Sequence, residues 1–407
     1  MPVAPRIQSS PSNRQGAQGG SRIANIMRSL NYPVVLATVI LVSYGLLIVW
    51  SATRDSYLYS FNRQLMGVGA GLVLMLVIWR FDYSRLSNLT FVFLGLCVLL
   101  NIMPLLPVIG MEVNGGRNWA VLFGQQFQPA ELGKIPHILF AAALMARYKG
   151  RLDSGSEYLK CFSLLMVPVI SVLLQPDLGT AMVFFVVSMA VLFAGGANRR
   201  WLFFTVIMMI AAFIGLLVLD GILDNMLGRD VLIKDYQKDR LLVFLDPEHD
   251  LSGAGYQLRQ AQIAIGSGGL FGKGLGNATQ SALGFLPEAP TDFIICVLAE
   301  EFGFVGSVGL ILLYAVLMFL LLHVAFNSYD FFGTLIITGI LGMWIFQILE
   351  NIGMNLGLMP ITGIPLPFMS YGTSFMLVNF VSLGLVLSIW AHRKPVRGGA
   401  VQPSRIA

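Results

Sequence analysis

The chain has 407 residues, of which 56% are hydrophobic and 12% charged, and its formal net charge is +5. A mean hydropathy of +0.75 lies far above that of a soluble domain and excludes an ordinary cytosolic enzyme. The Lys and Arg residues are scattered near the ends of apolar segments, which argues against a nucleic-acid-binding protein and predicts one integral membrane domain.

The first 30 residues are rich in Ser, Gly, Gln, Asn and Arg, which predicts a disordered cytoplasmic tail. Ten apolar segments follow, and a bilayer-spanning helix needs roughly 20 mostly apolar residues. They cover residues 33–51, 64–80, 88–106, 128–146, 158–175, 179–196, 200–219, 292–325, 331–354 and 368–391. We therefore expect a tail over 1–30, a ten-helix membrane domain over 31–392 and a cytoplasmic C-terminal tail over 393–407.

The distribution of basic residues predicts the topology of this all-α polytopic fold. A cytoplasmic N-terminus places 16 of the 26 Lys and Arg on the cytoplasmic side, as the positive-inside rule favours. An even number of spans returns the C-terminus to the cytoplasm. A large loop over 220–291 then lies outside the membrane, between helices 7 and 8. Its stretch 253–276 favours amphipathic or re-entrant elements on the outer face.

Two charged residues lie within the fourth apolar segment, where a charge is costly and therefore a candidate for function. Glu131 and Lys134 are three residues apart, hence on one helix face, where they can form an ion pair. That pair can neutralise itself against a neighbouring helix or serve a ligand, and both interpretations remain open at this stage. His137 continues the same face, and a packing role is favoured.

Asp292 directly precedes the eighth apolar segment, with Thr291 as the predicted N-cap and Asp292 as a first-turn acid. A general base at this position needs raised basicity, which burial or the nearby charge of Glu288 can supply. Asp177, in the turn between the fifth and sixth segments, is expected to cap the sixth helix. Glu300 and Glu301 follow in the eighth segment, and we interpret them as structural anchors.

Exterior cations accompany these acids and make an anionic phosphate ligand plausible, although anionic lipid headgroups would attract the same residues. They are Arg117, Lys234, Lys238, Arg240, Arg259 and Lys273. Backbone amides of the glycine-rich turn Gly266 to Gly269 could add donors for phosphate. The sequence contains no GxxxxGKT, GxSxG, HExxH or Cys/His metal motif, so ATP-driven transport, serine hydrolysis and zinc proteolysis lose support.

Nine strings spread over the chain are together similar to the SEDS family (shape, elongation, division and sporulation), and most of all to its RodA branch. The strings are NGGRNW (114–119), QPAELGK (128–134), QPDLGT (175–180), DRLLVFLDP (239–247), GAGYQ (253–257), IGSGGLFGKG (265–274), FLPEAPTDFIICVLAEE (285–301), NIG (351–353) and GIPLPFMSYG (363–372).

The resemblance implies a peptidoglycan glycosyltransferase that polymerises lipid II outside the inner membrane for cell elongation and rod shape. It also implies a class B penicillin-binding protein as the crosslinking partner. The family's essential acid corresponds to Asp292, and its motif glutamate, lysine and tryptophan correspond to Glu131, Lys134 and Trp119. Asp292 is then the base for the 4-hydroxyl of GlcNAc, which displaces undecaprenyl pyrophosphate from the lipid-linked glycan.

The leaving pyrophosphate requires positive charge, for which Lys134, Arg117 and Arg259 are the predicted residues. A divalent cation, Mg²⁺ or Mn²⁺, bound by Asp292 or Glu288 could assist. The alternatives are a division-branch (FtsW-like) or sporulation paralogue with the same chemistry, a flippase for the lipid-linked precursor, and a scaffold that only recruits the partner.

The chain departs from the family pattern at three positions. Pro290 stands where the family usually has His, Asn118 stands where Arg often precedes the tryptophan, and Thr373 replaces the second glycine of SYGGS. The first two departures bear on how the acceptor sugar or the pyrophosphate is held, and neither removes the acid.

Overall fold

The computed structural model describes residues 30–54, 58–107, 109–113, 116–122, 124–152, 154–227, 238, 240, 242–244, 246 and 253–393. Most of both predicted tails lies outside these residues. The helices are α1 Tyr32–Thr53, α2 Phe61–Arg80, α3 Thr90–Ile102, α4 Pro129–Ala146, α5 Gly155–Leu173, α6 Leu178–Ala194, α7 Arg199–Leu227, α8 Ala254–Ser267, α9 Thr279–Ala282, α10 Ile294–Phe326, α11 Phe331–Leu356 and α12 Thr373–Ala391. The strands are β1 Gly110–Val113, β2 Gly116–Leu122 and β3 Gln125–Phe127.

The helical, polytopic membrane fold is confirmed. Within the described ranges, seven helices are long and apolar enough to cross a membrane, namely α1, α2, α5, α7, α10, α11 and α12. Two more, α3 and α6, are apolar but shorter. The buried charges of α4 lower its hydropathy, although it corresponds to the fourth predicted segment. Length and composition thus support seven spans among these residues, and ten remains a prediction.

Local sequence signals set several helix ends. Asn31 caps α1 by accepting a hydrogen bond from the Val34 amide at 3.3 Å. Asp177 accepts from the Thr180 amide at 2.9 Å, which confirms the predicted cap of α6. The predicted ends differ most from the observed ones at α7, which continues to Leu227, and at α12, which begins at Thr373.

Helix α4 lies at the centre of the bundle, in contact with α3, α6, α11 and α12. Its residues from Pro129 to Met145 are buried or partly buried, so polar groups on it need partners inside the protein. His137 has them, because its Nε2 lies 3.0 Å from both the Phe184 carbonyl oxygen and the Ser188 hydroxyl. The favoured packing role of His137 therefore agrees with its surroundings.

The exterior segment before α4 folds into a three-stranded antiparallel sheet, which the all-α prediction missed. Met111 pairs with Trp119 between β1 and β2, and Ala120 pairs with Phe127 between β2 and β3. Gly124 has φ of 75°, which permits the tight turn between β2 and β3. Strands this short leave little periodicity in the sequence. The sheet positions Trp119 beside the N-terminus of α4.

Helix α10 is interrupted at Gly303, whose φ of 65° and ψ of −159° are not helical. The residues before this point, Ile294 to Glu301, are all buried. The glycine-rich run that follows α8 packs on the interruption: the Phe304 amide donates to the Gly269 carbonyl at 2.9 Å. A Cβ at Gly272 would collide with the backbone of Glu301, so the close approach requires glycine.

The structure does not support phosphate binding by the amides of Gly266 and Gly268, two of the glycines predicted for it. Gly266 lies inside α8, and the Gly268 amide donates to the Ile265 carbonyl at 3.4 Å. A Cβ at Gly268 would also collide with the Ala299 carbonyl, which leaves no space for a ligand on that side. Close packing between backbones therefore explains Gly268, as it explains Gly272 further along the run.

Glu300 stabilises the same turn and forms an ion pair with Lys273, so Lys273 does not serve as a phosphate ligand. Lys273 Nζ lies 2.5 Å from Glu300 Oε1, which also accepts from the Thr279 amide at 2.9 Å. Glu301 accepts from the Gly276 amide at 3.0 Å and from the Ser51 hydroxyl. The interpretation of both glutamates as structural anchors is confirmed.

We expect Glu300→Gln to lower the free energy of unfolding by about 1 to 3 kcal/mol, because a buried carboxylate that accepts several hydrogen bonds loses its charge. Thermal unfolding of the purified protein measures this effect. Glu112→Gln is the matched control, since Glu112 forms an exposed 3.6 Å pair with Arg117, worth about 0 to 1 kcal/mol. Equal losses in the two variants would contradict the anchoring role.

Candidate active site

A cavity of about 460 Å³ opens where the N-terminal ends of α4 and α6 meet the segment before α10. Its wall combines acids, bases and aromatic side chains, which is typical of a ligand site. The wall includes Tyr59, Arg63, Asn118, Trp119, Gln128, Glu131, Lys134, Asp177, Arg240, Glu288, Thr291, Asp292, Thr362, Gly363, Tyr371, Thr373 and Phe375.

Five of the seven predicted site residues line this cavity: Trp119, Glu131, Lys134, Glu288 and Asp292. They come from the sheet, from α4 and from the segment before α10. Residues remote in sequence therefore converge on one space.

The other two predicted residues, Arg117 and Arg259, lie outside the wall formed by the described residues. Arg117 Nε is 3.6 Å from Glu112 Oε2 on the exposed hairpin. Arg259 is exposed on α8. Two other arginines, Arg63 and Arg240, line the cavity instead. The predicted pyrophosphate contacts of Arg117 and Arg259 therefore have no support from this cavity wall.

Glu131 and Lys134 form a buried ion pair within the cavity wall. Lys134 Nζ lies 2.5 Å from Glu131 Oε1, and the two side chains are 2% and 5% exposed. Glu131 Oε2 is buried and has no hydrogen-bond partner among the described residues. The two charges thus neutralise each other within the cavity wall. Glu131 Oε2 remains available to accept a hydrogen bond from a ligand.

The backbone of Asp292 is fixed by two asparagines of α11. Asn351 Nδ2 donates to the Asp292 carbonyl at 2.9 Å, and Asn355 Nδ2 donates to it at 3.1 Å. Asn351 Nδ2 also donates to the Ile364 carbonyl at 2.8 Å. The Asn351 side chain therefore links the backbone of Asp292 to the loop before α12.

The predicted N-cap role of Thr291 is wrong. Helix α10 begins at Ile294, with Phe293 at the N-cap position and no side-chain cap. Thr291 instead donates its hydroxyl to Glu288 Oε2 at 3.0 Å, and Tyr59 donates to the same oxygen at 2.5 Å. The cause is the turn over residues 288–293, which delays the helix and brings Glu288 beside Asp292.

The environment of Asp292 favours a proton acceptor near neutral pH. Burial raises the pKa of Asp292 to about 7, the carboxylate of Glu288 adds to the increase, and Arg240 and Thr291 oppose it. A carboxyl group with a pKa in this range exchanges protons readily at physiological pH. Perturbed acids of this kind are enriched at functional sites.

Gly363 brings the backbone close to this acid. Its φ is 75°, and a Cβ there would lie 3.0 Å from Asp292 Oδ2 and 3.7 Å from Arg240 Nη1. Arg240 Nη1 donates to the Thr362 carbonyl at 3.4 Å. The carboxylate and the guanidinium therefore flank one glycine.

Sequence reasoning missed Glu350, which the same rule for charges in apolar segments would have found. It lies on α11, is 2% exposed, and accepts a hydrogen bond from the Thr362 hydroxyl. Its Oε2 is buried without a partner in the described part of the chain. Arg63 was missed because it directly precedes a predicted span.

The three departures from the family pattern all lie near the cavity. Asn118 and Thr373 belong to its wall. Pro290 is buried, and its carbonyl accepts from the Tyr371 amide at 2.8 Å. Pro290 thus ties the segment before α10 to the loop before α12.

The described residues provide no complete set of protein ligands for the divalent cation that the sequence suggested, although Mg²⁺ often needs only one or two carboxylates beside substrate phosphates. No group of three or more His, Cys, Asp or Glu side chains among them is arranged to hold a metal ion. Glu288, the predicted companion of Asp292, already accepts hydrogen bonds from Tyr59 and Thr291.

Comparison with known proteins identifies similar chains. The family model FTSW_RODA_SPOVE, described as "Cell cycle protein", matches residues 30–395. "Peptidoglycan glycosyltransferase MrdB" of Escherichia coli (strain K12) is 35% identical over 369 residues, covering 90% of this chain and 94% of the relative. "Stage V sporulation protein E" of Bacillus subtilis (strain 168) is 32% identical over 365 residues, covering 88% of this chain and 95% of the relative.

A solved structure shares the fold. It is described as "Structural coordination of polymerization and crosslinking by a peptidoglycan synthase complex". The similar chain in it is 32% identical, with a TM-score of 0.73, and the match covers 89% of this chain and 98% of that one. The similarity extends over nearly the whole bundle and therefore includes the elements that form the cavity.

Proposed function

Because the chain belongs to the FtsW, RodA and SpoVE family of cell cycle proteins, we propose that it polymerises lipid II with Asp292 as the general base. Relatives in this family are named peptidoglycan glycosyltransferases, and this chain is a peptidoglycan glycosyltransferase of the bacterial inner membrane. One observation carries the mechanistic proposal. Asp292 combines a pKa of about 7 with a place in the wall of a cavity that also holds cationic side chains.

The proton transfer follows from this position. As the 4-hydroxyl oxygen of the acceptor GlcNAc attacks the anomeric carbon of the lipid-linked glycan, its proton moves to the Asp292 carboxylate. The bond between that carbon and the pyrophosphate oxygen breaks, and the electron pair leaves with undecaprenyl pyrophosphate. Attack on the face opposite the leaving group inverts the anomeric carbon.

Charge that develops on the leaving pyrophosphate is stabilised by cations already in place. Lys134, Arg63 and Arg240 line the same cavity as Asp292. Arg240 lies beside Gly363, as the acid does, whereas Lys134 is paired with Glu131 on α4. We assign the pyrophosphate to these three residues in place of Arg117 and Arg259.

Activity is expected to depend on pH through the ionisation of Asp292. The base acts when deprotonated, so the polymerisation rate rises with pH through about 7 and levels off above it. Glu288→Gln removes the negative neighbour that raises the pKa of Asp292, so the midpoint moves to lower pH. Rates measured across pH, with Glu112→Gln as the control, check this; a midpoint that moves to higher pH opposes it.

Gly363→Ala is expected to lower kcat by about tenfold to a hundredfold, because the added methyl group displaces the Asp292 carboxylate. Left-handed backbone alone costs a non-glycine residue roughly 1 to 2 kcal/mol. Gly284→Ala controls for that strain, since Gly284 has φ of 73° and nothing within 4 Å of an added Cβ. The assay is glycan formation from lipid II, and equal kcat in the two variants would count against the contact.

The elongation branch is proposed over the division and sporulation branches from the strings IGSGGLFGKG and GIPLPFMSYG. Relatives named MrdB, FtsW and stage V sporulation protein E match at similar identity, 35%, 36% and 32%, so the proposed branch depends on these strings alone. We expect that expression of this chain restores rod shape in cells that lack their elongation enzyme. It should not restore septation in cells that lack the division enzyme.

A class B penicillin-binding protein is the proposed partner, supported by the similar chain in a peptidoglycan synthase complex. Purified chain and partner, supplied with lipid II, should yield glycan polymer. The rival transporter, which the buried Glu131 and Lys134 pair also suits, predicts lipid movement between leaflets and no polymer. A scaffold predicts neither product, so this single experiment separates the three functions.

A further inference from the structure

A second cavity, of about 580 Å³, lies at the other end of α4 from the candidate active site. Glu131 and Arg147 are 16 residues apart, which corresponds to about 24 Å along an α-helix. The wall is formed where α3 begins, α4 ends and α5 begins. It includes Phe91, Arg147, Leu159, Lys160, Ser163 and Leu164. The cavity therefore opens at the opposite face of the bundle from Asp292.

One side of this cavity is cationic and partly preorganised. Arg147 Nη2 donates to the Thr90 hydroxyl at 2.9 Å, and its guanidinium lies 5.5 Å from the centre of the Phe91 ring. These two contacts hold the guanidinium in place while leaving other N–H groups for a ligand. Lys160 adds a second cation from α5.

The other side is apolar and exposed. Phe91 is 59% exposed and Leu159 is 61% exposed, although both lie on apolar helices of a membrane protein. Leu164 continues the apolar wall one turn further along α5. A ligand that matches this wall carries an anionic head and a hydrocarbon tail.

We propose that this second cavity binds an anionic phospholipid of the cytoplasmic leaflet, with its phosphodiester between Arg147 and Lys160 and an acyl chain along the apolar wall. The distribution of basic residues assigns this face to the cytoplasm. Lys149 and Arg151 add positive charge in the following turn, and Glu157 is the acid at the start of α5. Anionic headgroups of that leaflet are attracted to basic pockets between helices.

The test uses the full chain, purified after reconstitution in vesicles of phosphatidylcholine and phosphatidylglycerol, with bound lipid counted by native mass spectrometry. We expect the parent to retain phosphatidylglycerol in preference to phosphatidylcholine. Lys160→Gln should weaken this retention about fivefold through the loss of one cation. Ser163→Trp, which fills the cavity without changing charge, should abolish it.

Arg151→Gln is the matched control, because it removes one positive charge from the same exposed face without altering the cavity wall. Equal weakening by Arg151→Gln and Lys160→Gln would mean a diffuse surface attraction and would overturn the proposal. Retention that survives Ser163→Trp would overturn it as well. Preferential retention of an added polyprenyl phosphate over phosphatidylglycerol would identify the carrier lipid as the occupant and reject the phospholipid. Unchanged thermal unfolding of the variants excludes loss of fold as the cause.

Discussion

Asp292→Asn is expected to lower the rate of glycan polymerisation by about 10² to 10⁴-fold, the contribution of a positioned general base. The amide has nearly the shape of the carboxylate but accepts no proton at neutral pH. The backbone contacts from Asn351 and Asn355 to residue 292 are unaffected by the change. A large loss of rate would therefore not arise from displacement of the segment.

The same variant should be at least as stable as the parent at pH 8. The pKa of Asp292 is raised above its ordinary value in the folded protein, so the folded state binds more protons than the unfolded state between about pH 4 and 7. Stability from this group falls as the pH rises through that window. Asparagine removes the ionised form and with it this destabilisation.

Polymer yield and thermal unfolding at pH 8 together decide the result. Loss of polymer with an unchanged or higher Tm supports the base. Glu112→Gln, on the exposed hairpin outside the cavity wall, should retain the parental rate. Parental activity in Asp292→Asn would refute the assignment of the base.

Lys134→Met is expected to have the second largest effect, on both stability and activity. It leaves Glu131 as a buried carboxylate without its partner, and the loss of one member of a buried pair costs about 3 to 5 kcal/mol. It also removes one of the cations proposed for the pyrophosphate. The single variant cannot separate these two effects.

The double variant Glu131→Gln, Lys134→Met separates them. Two neutral side chains of similar volume replace a buried ion pair at little cost in stability. We therefore expect thermal unfolding close to the parent, while polymerisation remains about a hundredfold slower because the cation is absent. Recovery of both stability and activity in the double variant would show that the pair serves packing alone.

Much of the fold follows from local sequence. A span is recognised by the length of an apolar run, which needs no knowledge of its neighbours. The cap of α6 by Asp177 also followed from a local pattern, since a side chain three residues before the amide is in reach. Asp292 was identified as the candidate acid from the family strings, because its position alone predicted an ordinary first-turn acid of a helix that in fact begins at Ile294.

Local patterns failed where contacts join distant residues. The glycine-rich run was expected to bind phosphate, yet it packs on the interruption of α10 about 30 residues later. Arg117 and Arg259 were chosen because they lie in exterior segments, but being exterior does not determine which side chain faces a cavity. Arg240 lines the cavity, where its guanidinium donates to the Thr362 carbonyl, 122 residues away.

The sequence by itself thus determined the membrane class, the positions of the apolar helices and the family, because each depends on composition or on contiguous residues. It also singled out Asp292, whose role as the base is our proposal. The tertiary structure decided which cations line the cavity with Asp292. It also decided that the Thr291 hydroxyl donates to Glu288 rather than capping the helix, and that Glu350 accepts from the Thr362 hydroxyl. Packing between helices remote along the chain sets the direction of each side chain, and no local pattern records it.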